Sequence, residues 1–199
     1  MSMNRRELLK MIAAATGTAF VSANAMAYVT LPMKTVQETA FSKDDIAFFN
    51  EVGEVIIPRT DTPGAKDVNV GFMMAVIVTD CYTAPQQAAF KDGIATIKAL
   101  AKSTYGKDFL LLSNDERTSV LASLNDEADV FNTKAKLASK GVKDAEKPLP
   151  HGFTLIKQLT LFTFFTSKEG ATKVLRYVAI PGRYDGELPY KKGDRAWAT

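Results

Sequence analysis

The chain has 199 residues, 46% of them apolar and 24% charged, with a formal net charge of +3, which suits one domain with a real core. Arg5, Arg6 and Lys10 against Glu7 supply most of that excess; no clustered basic face remains in the body, which sets nucleic-acid binding aside. A single cysteine, Cys81, and a single histidine, His151, exclude an internal disulfide, a CxxC or haem-attachment motif and a multi-histidine metal site.

The amino terminus reads as an address. Arg5 and Arg6 are followed by Leu8, Leu9 and Lys10, then by a short, mildly apolar run from Met11 to Val21. Two small-x-small sites end at Ala25 and Ala27. A charged start, a weak apolar stretch and an A-x-A site describe an export signal over residues 1–27. The run is too short and too rich in Ala, Gly and Thr for a stable membrane span. The paired arginines resemble the twin-arginine signal, with Asn4 where that pattern usually has Ser or Thr. That route carries cargo already folded, commonly around a cofactor. Yet the chain holds no G-x-G-x-x-G fingerprint, no Walker loop and no cysteine cluster. The expectation is a cofactor in a partner exported with it.

The body is expected to be all-α. Residues 30–40 lead in without a period, as an extended segment. Ser42 and Asp45 form a capping box, with Phe41 stapled onto Ile46. Ile46, Phe49, Val52 and Ile56 follow at helical spacing. Pro58 stops this helix at Ile57. The corner that follows, Ile56 to Asp67, carries Arg59, Asp61, Lys66 and Asp67. Thr62-Pro63-Gly64-Ala65 predicts a type II turn with Gly64 at positive φ. The charges of this corner either serve recognition or are simply solvated.

Val68 to Tyr82 is apolar over most of its circumference, which predicts a central helix. Pro85 opens a third helix with Phe90, Ile94, Ile97 and Ala101 inward and Gly106 as its C-cap. Ser113 and Glu116 complete a capping box before Val120, Leu121 and Leu124. Between residues 125 and 150 the pattern loosens into a Lys-rich loop or a partly helical insertion. Gly152 to Phe165 is the most hydrophobic stretch, a core helix or one whose second face packs on another protein, with Thr160, Thr163 and Thr166 as its polar stripe. The helical domain therefore runs over 28–175. From 176 to 199 periodicity is lost, but Tyr, Arg and Trp recur. These residues are enriched at interface hot spots, so the segment reads as an ordered arm laid across a partner; the alternative is an arm folded back on its own helices.

No catalytic constellation emerges. Cys81 and His151 are a formal nucleophile and base, but far apart in sequence and without an orienting third group. Cys81 follows Met74 and Ile77 at helical spacing, which favours a buried, inert thiol; pairing with a partner's cysteine is the alternative. Asp44-Asp45 and Asp126-Glu127 are acidic pairs near helix starts, where the helix dipole favours them.

Three separated motifs resemble one family. They are Ile56 to Ala65 (Ile-Ile-Pro-Arg-Thr-Asp-Thr-Pro-Gly-Ala), Phe164 to Thr172 leading into Leu175 to Gly186 (Leu-Arg-Tyr-x-x-x-Pro-Gly-Arg-Tyr-Asp-Gly), and Gly193 to Ala198 (Gly-Asp-Arg-Ala-Trp-Ala). Together they resemble the small subunit, subunit 3 or gamma, of bacterial gluconate 2-dehydrogenase. Residues 133–147 do not fit the pattern. The resemblance implies a companion of a large FAD-containing flavoprotein of the glucose-methanol-choline type, exported with it through the twin-arginine translocase. The large subunit would oxidise a sugar or sugar acid, and a cytochrome c subunit with haem c often takes the electrons onward at the inner membrane. This chain would hold no cofactor and serve export, folding and stability in the periplasm. Motif position and interface chemistry single out Arg59, Asp61, Arg176, Tyr177, Arg183, Tyr184, Asp185, Arg195 and Trp197 for partner contact. The competing readings are a stand-alone periplasmic binding or chaperone-like module and a small enzyme using Cys81 or a carboxylate pair.

Overall fold

The computed structural model describes residues 35–140, 148–180, 182 and 185–198. All the described elements lie within Val36–Thr199. Among the described residues there are five α-helices and no strand, as the periodicity predicts. The helices are α1 (Lys43–Ile56), α2 (Val70–Cys81), α3 (Ala84–Tyr105), α4 (Asn114–Ala138) and α5 (Gly152–Phe165). Short 3-10 turns at Val36–Glu38, Ala65–Val68 and Phe109–Leu111 connect them, and a π-helical turn, Gly170–Val174, follows α5. The lead-in expected to be extended thus contains a turn, with Val36 packed against the core.

The capping signals act as the sequence specifies. The Asp45 N–H donates to Ser42 Oγ at 3.1 Å and the Ser42 N–H to Asp45 Oδ2 at 3.1 Å. Ser113 and Glu116 repeat the device on α4. Ile57 caps α1, its N–H donating to Gly53 O at 2.8 Å, before Pro58 removes the next donor. Gly106 ends α3 at φ 68°, the left-handed conformation a glycine adopts without strain. Phe90, Ile94, Ile97 and Ala101 all face inward, as do Val120, Leu121 and Leu124.

The core is built on α5, which packs against each of the other four helices. Its apolar side chains Phe153, Leu155, Ile156, Leu159 and Phe164 are buried. Thr160 and Thr163 are buried with them, and their hydroxyls donate to Ile156 O at 2.9 Å and Leu159 O at 2.8 Å. Those bonds remove the cost of desolvating the hydroxyls. Beside α5, edge-to-face rings link three elements: Phe41 to Phe49 at 5.2 Å, Phe49 to Phe90 at 5.6 Å and Phe48 to Phe109 at 5.4 Å.

Two expectations for α2 are corrected. α2 is less central than its composition suggests: Val70, Met74, Ala75 and Val78 are buried, but Met73 is exposed, because α2 packs on α1 and α5 and leaves its third side open. Cys81 is exposed rather than buried; it is the last residue of α2, and the helix has run past the edge of the core. Of the two readings for residues 125–150, the partly helical one fits their first half, where α4 continues to Ala138. Its buried positions end at Ala128, so the last turns rest on helix-forming Ala, Lys and Leu and on a clamp through Asn132. There Asn132 Nδ2 donates to Thr154 Oγ1 at 2.8 Å, and the His151 N–H donates to Asn132 Oδ1 at 2.9 Å. Residues 141–147 of the Lys-rich stretch lie outside the described residues.

Candidate partner-binding surface

The corner after α1 is held by carboxylates on the helix itself. Glu54 accepts the Arg59 N–H at 2.9 Å on Oε1 and the Lys66 N–H at 2.9 Å on Oε2. The loop from 59 to 66 is therefore clipped at both ends by one side chain. Gly64 sits inside that clip at φ −90°, ψ 175°, which any residue adopts, so the positive φ of a type II turn is absent. Space demands the glycine instead: a Cβ there would lie 2.5 Å from Arg59 N and 2.6 Å from Glu54 Oε2.

Asp67 folds the charges of the corner inward. It accepts the Gly64 N–H at 2.8 Å and Arg59 Nε at 2.8 Å, and Arg59 Nη2 completes the fork. The hydrogen bond from Arg59 is the main reason the Asp67 carboxyl is held below its ordinary range. Lys66 reaches back to Glu51 at 2.5 Å, and Glu51 also receives Arg117 Nη1 at 2.7 Å. Burial pushes the Glu51 carboxyl up, but the Lys66 hydrogen bond and the charges of Lys66 and Arg117 together outweigh it and leave it low. Arg117, only 13% exposed, further donates to Phe109 O at 3.2 Å and Leu110 O at 2.7 Å. This ties the corner to α4 and to the 3-10 turn before it.

The corner meets the start of the arm. Arg59, Thr60, Asp61, Thr62, Pro63 and Lys173 line one shallow cleft, and the Lys173 charge contributes to lowering Asp67. Lys173 belongs to the π-helical turn, and its carbonyl accepts Arg195 Nη1 at 3.0 Å. Next to it, Arg176 and Trp197 form a parallel bridge: the Arg176 N–H donates to Ala196 O at 2.8 Å and the Ala198 N–H to Arg176 O at 2.8 Å. The Arg176 guanidinium lies over the Trp197 ring at 4.6 Å.

The residues expected to contact a partner thus fall into three groups. Arg59, Asp61, Arg195, Arg176 and Trp197 converge on the corner and the base of the arm. Tyr177 and Asp185 are exposed farther along it, the latter accepting the Glu187 N–H at 3.2 Å. Arg183 and Tyr184 lie outside the described residues, as do the signal residues Arg5, Arg6, Leu8, Leu9, Lys10, Ala25 and Ala27. The described residues from 176 onward contain no helix.

The second face that the sequence allowed on the most hydrophobic stretch is present. On α5, Leu161, Phe162 and Phe165 are exposed on the side opposite the buried stripe, Phe162 at 57%. Large apolar side chains on both faces of one helix are a partner signal. The sequence reading ended this stretch at Phe165 but missed the device that stops it: Ser167 Oγ donates to Phe164 O at 2.6 Å and accepts the Gly170 N–H at 3.0 Å.

His151 caps α5, its Nδ1 accepting the Phe153 N–H at 3.3 Å, and is spent on structure. Among the described residues no group of three or more His, Cys, Asp or Glu is placed to hold a metal ion, and no helix is long and apolar enough to cross a membrane. The arrangement offers exposed apolar and aromatic surface beside a rigid, internally paired corner, which is the chemistry of association.

Neither curated proteins nor solved structures give a match to the chain. A family model does: the one described as gluconate 2-dehydrogenase subunit 3 matches residues 43–182, from the first residue of α1 into the arm.

Proposed function

The chain belongs to the gluconate 2-dehydrogenase subunit 3 family, and on that premise we propose that it is the non-catalytic small subunit of a periplasmic, membrane-associated, FAD-dependent sugar or sugar-acid dehydrogenase. In this reading the FAD sits in a large subunit of the glucose-methanol-choline type, and a cytochrome c subunit carries electrons onward. The signal over residues 1–27 takes the assembled pair through the twin-arginine translocase. The present chain supports folding, stability and export of the flavoprotein.

The observation that carries the reading beyond the family description is the outward face of α5. Leu161, Phe162 and Phe165 are presented to solvent by the most apolar helix of the fold. Burying the part of these three side chains that remains exposed would contribute about 1 kcal/mol each. The flavoprotein is the partner we assign to this face.

The test is affinity capture of the chain from the periplasm and membranes of its host, reading flavin absorbance, stoichiometry and dye-linked sugar dehydrogenase activity. A one-to-one flavoprotein with activity is expected. A colourless monomer would return attention to the stand-alone readings.

A further inference from the structure

We infer that the far end of α4, from Val130 to Lys140, is a surface that docks on an anionic phospholipid bilayer. The buried positions of α4 end at Ala128, so its last turns run on past the core. Val130, Phe131 and Leu137 are exposed there, Leu137 at 63%. Val130 and Leu137, seven residues apart, share the helix face turned away from the Asn132–Thr154 clamp. Three large apolar side chains on one exposed helix end mark an interaction site.

The charge of this end says what covers it. Lys134, Lys136 and Lys140 are exposed on the same turns, and none of them is ion-paired among the described residues. The described residues from Val130 to Lys168 contain no Asp or Glu, and residues 141–147 bring two of each charge. The cleft beside this end, with Asn132, Lys136, Leu149 and Gln158 in its wall, likewise has no carboxylate lining it. The helix dipole favours lysines at a C-terminus, but it gives no reason for Val130, Phe131 and Leu137 to face water. Apolar side chains with lysines around them fit the boundary of an anionic bilayer. The apolar groups enter the acyl margin while the ammonium groups meet lipid phosphates.

The approach is by the helix end. Asp126, Glu127 and Asp129 are exposed on the preceding turns, where a flat-lying helix would press them against lipid phosphates. At a rise of about 1.5 Å per residue, Leu137 stands about 12 Å along the axis beyond Asp129. That exceeds the screening length of about 8 Å at physiological ionic strength. A tilted contact thus admits the lysines and lifts the carboxylates away. The contact does not depend on the subunit reading, since the isolated chain carries every residue it uses.

The test is resolved by site, because the basic amino-terminal signal can tether the full chain to the same vesicles. In a Cys81→Ser background, Leu137→Cys or Leu111→Cys carries an environment-sensitive dye. Leu111, 71% exposed, lies in the turn before the opposite end of α4. Vesicles of phosphatidylcholine with phosphatidylglycerol should shift the dye at position 137 to the blue, and lipids with nitroxide-labelled chains should quench it. Phosphatidylcholine alone should do neither, and the dye at position 111 should respond to neither vesicle. Lys134→Gln/Lys136→Gln/Lys140→Gln should raise the lipid concentration needed at position 137 by about tenfold or more, with an unchanged thermal midpoint. No response at position 137, an equal response at 111 or in phosphatidylcholine alone, or a full response in the triple variant would each overturn the membrane contact. A dye at position 137 that ignores vesicles but shifts on adding the purified flavoprotein would give this end to the protein partner and overturn it too.

Discussion

The carboxylate of Glu54 occupies the space beside Gly64: a Cβ on that glycine would stand 2.6 Å from Oε2 and 2.5 Å from the Arg59 nitrogen. The same carboxylate accepts the N–H groups of Arg59 and Lys66. Gly64→Ala would force the backbone of the corner off Glu54, and a destabilisation of about 2–3 kcal/mol is expected. Glu54→Ala should cost less, about 1 kcal/mol, because it removes two charge-assisted bonds to N–H groups of exposed residues that water can reach. Urea unfolding of the two variants and the double variant checks this. The double should cost less than the sum, because both changes break one clip.

The Glu51–Arg117 pair sets the behaviour in acid. Glu51, Asp67, Asp45 and Glu116 are all held below their ordinary values in the folded chain. The unfolded chain therefore binds more protons as pH falls. The stability these groups contribute is complete above the ordinary carboxylate values of about 4 and is lost below them, through the lower folded values. The urea midpoint should be flat from about pH 5.5 to 7 and decline below about pH 4.5. Glu51→Gln should flatten part of that decline. Arg117→Ala should cost about 1–2 kcal/mol near neutral pH: Glu51 keeps Lys66, but it loses one charged donor and the Phe109 and Leu110 carbonyls lose theirs.

α3 and α5 touch backbone to backbone. A Cβ on Gly152 would lie 2.3 Å from Ala89 O, and one on Gly93 would lie 2.7 Å from Gly152 C. Gly93→Ala or Gly152→Ala must push the helices apart over Ile156 and Phe90, at an expected cost of about 2–3 kcal/mol. Thermal unfolding of each variant is the measurement, with a solvent-facing Ala84→Gly as the comparison.

The exposed face of α5 predicts separable effects on folding and assembly. Phe162→Asp should leave the thermal midpoint of the isolated chain within about 2 °C of the parent, because this side chain is 57% exposed there. Binding to the flavoprotein should weaken by tenfold or more, since a charge would be buried at a desolvated apolar contact. Calorimetric titration against the purified large subunit reads the second effect.

Cys81, exposed at the end of α2, should react with a maleimide in the folded chain to one equivalent, without denaturant. Cys81→Ser should change neither the thermal midpoint nor the dehydrogenase activity of the complex. A loss of activity with assembly intact would revive the catalytic reading of this thiol.

The local signals of this fold could be read from residue order. The Ser42 and Ser113 boxes, Pro58, Gly106 and the 3.6-residue stripes of α1, α3, α4 and α5 each act over a few positions, so the sequence by itself determined five helices and most of their inward faces. Tertiary structure decided what depends on distant groups. Gly64 looks like a turn glycine because its neighbours are Pro63 and Ala65; only the approach of Glu54, ten residues earlier, shows that space and not φ requires it. Cys81 has the spacing of a buried residue, but where the core ends is set by α5, seventy residues later. The four charges of the corner could be named, but not paired: Arg59 closes on Asp67, and Lys66 turns back to Glu51 of α1, which also receives Arg117 from α4. Arg176 and Trp197 were legible as interface types, yet their closing onto each other is a contact across about twenty residues, and periodicity carries no information over that span. Short-range sterics and capping are written locally; burial, ion pairing and loop closure are sums over chain segments that meet only after folding.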